Sequence, residues 1–400
     1  MNDAGALLIG GDYRALGLAR SLGRRGIPVW VAKADDVLAG SSRFTQRSVP
    51  WPAGSDAEQI DCLVTLAEDR GLKGWVLFPT HDRTADLVSR HHATLEKHYR
   101  LTTSPWERFS LAQDKRLAYT RAQSLGIDVP RTWYPESGAE VADLDLEYPV
   151  ILKPASHAID NPLSQVKVWR IDDRASLLTR YAEASPFLPP GQVMIQEIIP
   201  GDGSRQFSFA AACRDGEAVA SVTVQRSRQI PMDFGRASTF VESMDLPDVV
   251  EPATRMIADI GLTGLVEVEF KRDPRDDRLK LLDVNARVWG WHSIGAAAGV
   301  DFPYLAWRIA CSEPVEPIQG RAGVRWARLT TDLMASAPGL LAGRMPVGPY
   351  FRSLRRPLVG PIAAKDDPVP ALLELPLLGA RFVRRARARQ EIMKKSSRAS

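Results

Sequence analysis

The sequence predicts a mixed fold, α/β over its first hundred residues and α+β beyond, and three observations carry that expectation. The N-terminal segment alternates short apolar runs with amphipathic ones, the pattern of a parallel sheet covered on both faces by helices. From about residue 130 to 310 the pattern turns to strands joined by hairpin turns. The last ninety residues are broken by Pro338-Gly339, Pro346, Gly348-Pro349, Pro357 and Gly360-Pro361 before a basic tail. At 400 residues, two or three domains are expected rather than one core.

Each element follows from local pattern. Ala6-Leu7-Leu8-Ile9 reads as a strand closed by Gly10-Gly11. Tyr13 to Arg25 reads as a helix with Leu16, Ala19 and Leu22 on one face and Gly26 as its stop. Pro28 to Ala32 is the next strand, 57–70 a helix, Trp75 to Phe78 a strand, and 82–92 a helix. Ser104-Pro105-Trp106-Glu107 has the form of a capping box, with Ser104 as N-cap and Pro105 in the first turn. One helix is expected from there to about Leu125, stopped by Gly126.

The composition, 44% hydrophobic and 25% charged, is that of an ordinary globular protein. No apolar run reaches the roughly 18 residues of a membrane span, and the first residues lack a signal-peptide pattern. Cys62, Cys213 and Cys311 lie far apart, without metal-knuckle spacing, so a reduced, cytoplasmic setting is expected. The net charge of +4 hides an asymmetry: residues 381–400 carry eight Arg/Lys and one Glu, leaving −3 over the rest. The chain as a whole is therefore not expected to bind nucleic acid. The tail is read as solvated, with contact to an anionic surface as the alternative.

Chemistry concentrates in one hairpin. Val266-Glu267-Val268-Glu269-Phe270 alternates, placing Glu267 and Glu269 on one face, and a charged turn follows. On the returning segment Asp283, Asn285 and Arg287 again share a face. Hard oxygen ligands at this density suit Mg²⁺ bound to phosphates, with an arginine clamping an anion beside it; routine cross-strand charge pairing is the alternative. Lys115 follows Asp114, Lys153 ends the apolar strand Tyr148 to Lys153, and Val193 to Ile199 is a second apolar strand carrying Gln196-Glu197 before Pro200-Gly201. Gln225-Arg226-Ser227-Arg228 places Arg226 and Arg228 on one face, as a candidate carboxylate-binding pair or, alternatively, a surface basic strand. Arg205 is a further candidate, and Trp289 and Trp291 are candidates for a pocket wall, with core packing as the alternative.

The order Asp114-Lys115, Val150-Ile-Leu-Lys153-Pro154, Ile195-Gln-Glu-Ile-Ile-Pro-Gly201, Val268-Glu-Phe270 and Asp283-Val-Asn-Ala-Arg287 resembles the ATP-grasp superfamily. It is similar in particular to its predicted ATP-dependent carboligase group, which includes enzymes like D-aspartate ligase. The resemblance implies a Rossmann-like pre-ATP-grasp domain over 1–105 and linker helices with a small lobe over 106–198. A large lobe with the metal site would follow over 199–315, and a C-terminal extension with the basic tail over 316–400. It implies that Lys115 and Lys153 hold ATP phosphates and that Gln196, Glu197 and Ile199 form the adenine hinge. Asp202 would sit on the ribose, Glu269, Asp283 and Asn285 would ligate Mg²⁺ (or Mn²⁺), and Arg287 would flank the transferred phosphoryl group. His81 and Asp82 would face the same cleft. Two departures stand out: Asp283 replaces the usual glutamate, and 155–161 lacks a glycine-rich phosphate loop, leaving Ser156, His157 and Lys167 as unranked lid candidates.

The activity implied is ligation of a small-molecule carboxylate to an amine (or thiol) through an acyl phosphate, in a chain that could dimerise. A non-catalytic Mg-ATP scaffold and an ATP-grasp phosphotransferase are the alternatives. A nicotinamide oxidoreductase is disfavoured, because Gly10-Gly11-Asp12-Tyr13-Arg14-Ala15-Leu16-Gly17 lacks the Gly-x-Gly-x-x-Gly spacing.

Overall fold

Among the described residues the chain builds three sheets and lays two of them against a shared core. The computed structural model describes residues 4–156, 168–232, 234–235, 237–355 and 358–379. The N-terminal sheet is wholly parallel, in the order Arg47–Pro50, Val29–Lys33, Ala6–Ile9, Val76–Pro79, Arg100–Leu101. Its strands Ala6–Ile9 and Val76–Pro79 are buried throughout, as a sheet covered on both faces requires. Its strand order reverses between these two strands, and the crevice outside their carboxyl ends is where open α/β sheets take ligands. Gly10 closes the first strand at φ +124°, where a Cβ would lie 2.1 Å from Thr80 Oγ1, so the two strand ends approach as closely as glycine permits.

The small lobe is a four-stranded antiparallel sheet, Thr132–Trp133, Val193–Glu197, Val150–Pro154 and Trp169–Ile171. It has its own core, in which Val150, Leu152 and Ile195 pack with Leu177 and Tyr181 of the helix Arg174–Ala184.

The large sheet runs Leu279–Asn285, Gly264–Arg272, Gln206–Arg214, Glu217–Ile230, Ala237–Ser243, Arg325–Ala327, Leu358–Val359, with Ile318–Gln319 alongside Glu217–Ile230. One of its faces shares a core with the N-terminal domain, through Leu8, Leu16 and Phe78 on one side and Val222, Trp289, Trp291 and Phe302 on the other. The other face packs Phe109, Ala118 and Tyr119 against Val266, Val268 and Leu281. The strands Ile318–Gln319, Arg325–Ala327 and Leu358–Val359 lie in the segment that the sequence sets apart as an extension, yet they complete this sheet. Strands of two or three residues between prolines and glycines carry too little periodicity to be read alone. The segment after them is tied to the N-terminal domain. Arg20 donates to Asp367 at 2.9 Å and to the Pro361 carbonyl at 3.2 Å, and Arg24 chelates Asp366.

One helix expected between Ser104 and Leu125 is two, Trp106–Gln113 and Lys115–Ser124. Ser104 does not cap; its Oγ accepts from Thr263 N at 2.8 Å. Asp114 is extended and its carboxylate accepts from Arg116 N at 2.9 Å, starting a new helix at Lys115.

Candidate functional site

The hairpin sets the site. Glu267 lies opposite Asn285 and Glu269 opposite Asp283, so four oxygen-bearing side chains form a two-by-two array. A register shift after Glu269 makes Phe270 partner Leu281, leaving Leu282 unpaired by the ladder. Asn285 Nδ2 donates to Glu269 Oε1 at 2.9 Å, and Trp291 Nε1 donates to Glu267 Oε1 at 3.0 Å. Arg226, buried, pairs with Glu269 and stands 3.7 Å from Glu267. Burial and repulsion from Glu269 push the Glu267 carboxyl well above the usual carboxylate range.

Cations converge on the array from three directions. Lys115, first residue of its helix, donates to Asp283 Oδ1 at 2.6 Å, with its own backbone N bonded to the Ala155 carbonyl at 3.0 Å. Lys153, in the small-lobe strand Val150–Pro154, lines one cavity together with Glu269 and Asp283. Arg287 donates to Asn285 Oδ1 at 3.2 Å and chelates Asp82, whose second contact measures 3.0 Å. Burial opposes the charge of Arg287, but Asp82, Glu267 and Asp283 outweigh it and hold its pKa above the ordinary value.

These residues stand where two cavities meet. The smaller, about 120 Å³, lies between the lobes and is lined by Lys115, Lys153, Ile151, Gln196 to Ile199 and Leu282. The larger, about 400 Å³, is lined by Tyr13, Arg14, Asp82, Asn285, Arg287, Trp289 and Arg328 among others. Pro154, Arg226, Glu269 and Asp283 line both. Tyr13 and Arg14 follow the strand Ala6–Ile9, and Asp82 follows Val76–Pro79. The larger cavity therefore opens at the crevice where the strand order reverses. Arg14 donates to His81 Nδ1 at 2.5 Å, and burial together with that guanidinium pushes His81 down to about 4, leaving it a neutral acceptor.

The hinge has a defined polarity. The Glu197 carboxylate is turned toward Arg131, Arg275 and Lys280 and is held below its ordinary pKa by their bonds and charges, against burial. Lys271 Nζ donates to the Ile199 carbonyl at 2.9 Å and the Gly201 carbonyl at 2.6 Å. Gln196 donates to Thr132 Oγ1 at 2.8 Å. What remains toward the cavity is the path of the main chain and the flanking Ile151, Ile199 and Leu282 side chains.

Five candidates line neither cavity: Arg228, Arg205, Asp202, His81 and Ser156. Arg228 is buried in a bidentate pair with Asp332 and lies against the Phe240 and Tyr350 rings. The alternation that would put it beside Arg226 is broken by register shifts on both sides of Arg228. Arg205 is 41% exposed and 3.9 Å from Asp277. Asp202 caps the turn Gly203–Arg205 by accepting from Ser204 N at 2.9 Å. Ser156 precedes 157–167, and His157 and Lys167 lie outside the described residues. Conversely, Tyr13, Arg14 and Arg328 line the larger cavity unanticipated. For Tyr13 and Arg14 the signal was their place just past a strand and glycine turn; Arg328 carried none.

Two carboxylates and an amide oxygen on one face, ringed by Lys115, Lys153, Arg226 and Arg287, form a donor set that fits a hard divalent ion together with phosphate oxygens. Comparison with known proteins gives likenesses of three kinds. A family described as "ATP-grasp in the biosynthetic pathway with Ter operon" matches residues 191–331. D-aspartate ligase of Enterococcus faecium (strain Aus0004) is 24% identical over 301 residues, 70% of each chain. Among solved structures, L-amino acid ligase from Bacillus licheniformis superposes with TM-score 0.60 at 16% identity, covering 79% of this chain and 76% of that one. The biotin carboxylase domain dimer of Hydrogenobacter thermophilus 2-oxoglutarate carboxylase, in complex with MgADP, ADP and bicarbonate, superposes with TM-score 0.63 at 15% identity, covering 80% and 73%. The ordered motifs, the sheet architecture and these likenesses point the same way: residues 191–331 match an ATP-grasp family, and the chain has the fold of the ATP-grasp ligases to which it is similar.

Proposed function

We propose that the chain activates a small-molecule carboxylate with ATP, as an acyl phosphate, and passes the acyl group to an amine (or thiol), releasing ADP and phosphate. The observation that carries this reading is the meeting of two unlike cavities at Glu269 and Asp283. The smaller, with its main-chain hinge and aliphatic walls, suits a flat base; Lys115 and Lys153 at its inner end suit phosphates. The larger suits the acid and the acceptor. Arg14, Arg226, Arg287 and Arg328 face it together with Asp82, Glu267, Glu269 and Asp283, so a substrate carrying both carboxylate and amine finds partners for each.

Glu269, Asp283 and Asn285 Oδ1 are the residues that would hold Mg²⁺ (or Mn²⁺), which supplies charge neutralisation on the phosphate oxygens. A carboxylate oxygen entering from the larger cavity attacks the terminal phosphorus as its bond to ADP breaks. Lys115, Lys153 and Arg226 stabilise the charge spread over the moving phosphoryl group. Arg287, oriented by Asp82, then faces the oxyanion formed when the nucleophile adds to the acyl carbon, and phosphate leaves.

The test is ADP release across pairs of carboxylates and amines, with hydroxylamine in place of the amine to trap the acyl phosphate. The expected result is release that requires a carboxylate and yields a hydroxamate. Undiminished release by a Glu269→Ala/Asp283→Ala double variant, or Mg-ATP binding with no release for any pair, would overturn the reading.

A further inference from the structure

The C-terminal helices are inside out. The helix Leu329–Leu341 buries Asp332 and Ser336, whereas Leu329, Leu333 and Met334 are more than half exposed. The helix over 369–379 buries Glu374 and exposes Leu372 and Leu375 by 74% and 68%. Normal amphipathic helices turn their apolar stripe to the core. Here polar ties do the inward work. Asp332 holds Arg228, and Glu374 accepts from Arg328 at 3.1 Å and from Thr330 Oγ1 at 2.8 Å, joining the two helices. Among the described residues, nine of the fourteen exposed large apolar side chains fall between 329 and 375. Such concentration marks an interaction surface.

The sequence that follows says what covers it. Residues 381–400, outside the described residues, carry eight Arg/Lys and one Glu. Exposed leucines on short helices, followed in the sequence by a polycation, are the composition of an interfacial membrane anchor: apolar side chains enter the acyl boundary while basic ones attract anionic headgroups. A second copy is disfavoured, because it would bring two such tails together. The tail itself offers only Phe382, Val383, Ile392 and Met393 to cover nine side chains. No helix among the described residues is long and apolar enough to cross a membrane, so the contact is peripheral.

We propose that this C-terminal face docks on an anionic lipid bilayer. Arg328 pairs with Glu374 of the docking helix and also lines the larger cavity, so the bilayer would lie one ion pair from that cavity.

Co-sedimentation of the full chain with vesicles of phosphatidylcholine, alone or with phosphatidylglycerol, tests this independently of any ligase activity. The chain is expected to partition onto the anionic vesicles only, less at high salt. A Leu372→Glu/Leu375→Glu variant, and separately a variant with Arg384, Arg385, Arg387 and Arg389 changed to Gln, should each lose about tenfold or more in partitioning, with thermal unfolding unchanged. Four outcomes would overturn the proposal. These are absence of partitioning; loss with the charge variant but not the leucine variant; a shift from dimer to monomer in the leucine variant; or retention on a single-stranded oligonucleotide without vesicle binding.

Discussion

The Lys115 ammonium lies 2.6 Å from the Asp283 carboxylate, tying the first residue of a helix to a strand 168 positions later. Both side chains are largely shielded, at 5% and 19% exposure. Lys115→Met leaves Asp283 beside Glu269 with one cation fewer. It should lower stability by ~1–3 kcal/mol and ADP release by about 100-fold. Urea unfolding and steady-state ADP assays read the two effects; full activity in this variant would remove Lys115 from the phosphate-binding role.

Glu269 and Asp283 face each other across the hairpin, so neutral isosteres test charge without changing shape. Glu269→Gln and Asp283→Asn should each abolish the stabilisation that ADP with Mg²⁺ gives the wild type, and chelation by EDTA should do the same to the wild type. At ligand about 100-fold over Kd that stabilisation is ~2.7 kcal/mol, readable as a shift in Tm. Persistence of the full shift in both variants would move the metal elsewhere.

Arg228 separates a structural role from a substrate role. Its partner Asp332 is wholly buried and bound at 2.9 and 3.0 Å. Arg228→Ala should therefore cost ~3–5 kcal/mol of stability, as breaking a buried pair does. In the fraction that stays folded at low temperature, KM for the acid should be unchanged. A raised KM at normal stability would restore Arg228 to the substrate site.

Gly290 borders the larger cavity, where an added Cβ would lie 2.5 Å from the Tyr13 hydroxyl. Gly290→Ala must displace the Tyr13 hydroxyl and so reshape the cavity wall that both residues form. KM for the carboxylate or amine should rise by about tenfold, the order of a misfitted pocket group, while KM for ATP stays level. Equal effects on both would mean that the two cavities do not serve separate substrates.

What was legible in the sequence was what strand alternation dictates: Glu267 with Glu269, and Asp283 with Asn285 and Arg287, each pair or triplet on one face. A period of two survives into the fold wherever the ladder is regular. It failed at Arg228, where register shifts in the strand break the alternation. The parallel sheet was legible because strands buried on both faces read as continuous apolar runs. The break at Asp114 was not, because a capping aspartate inside an apolar-periodic stretch differs little from a helical one. Arg14 and Arg328 meet one cavity from opposite ends of the chain, and no local pattern encodes that. The helices Leu329–Leu341 and 369–379 could not be oriented by hydrophobicity, since their leucines face outward.

His292 gives a pH signature. Its Nδ1 bonds to the Trp289 carbonyl at 2.9 Å, and its Nε2, without a hydrogen-bond partner among the described residues, sits where a Cβ on Gly17 would lie 2.4 Å away. Burial pushes its pKa down to about 4, against the pull of the Trp289 bond. An unfolded imidazole takes its proton near 6.5. Between these values the unfolded chain binds a proton that the folded chain does not, so stability falls as pH drops from about 6.5 toward 4. Each such histidine contributes ~1.4 kcal/mol per pH unit across that window, and His81, also near 4, adds a second share. His292→Asn, which keeps a donor for Trp289, should lose one share of the slope. Urea unfolding of wild type and variant at pH 7, 6 and 5 isolates the difference from the carboxylates, which titrate alike in both. Parallel curves would mean that His292 is protonated in the folded state.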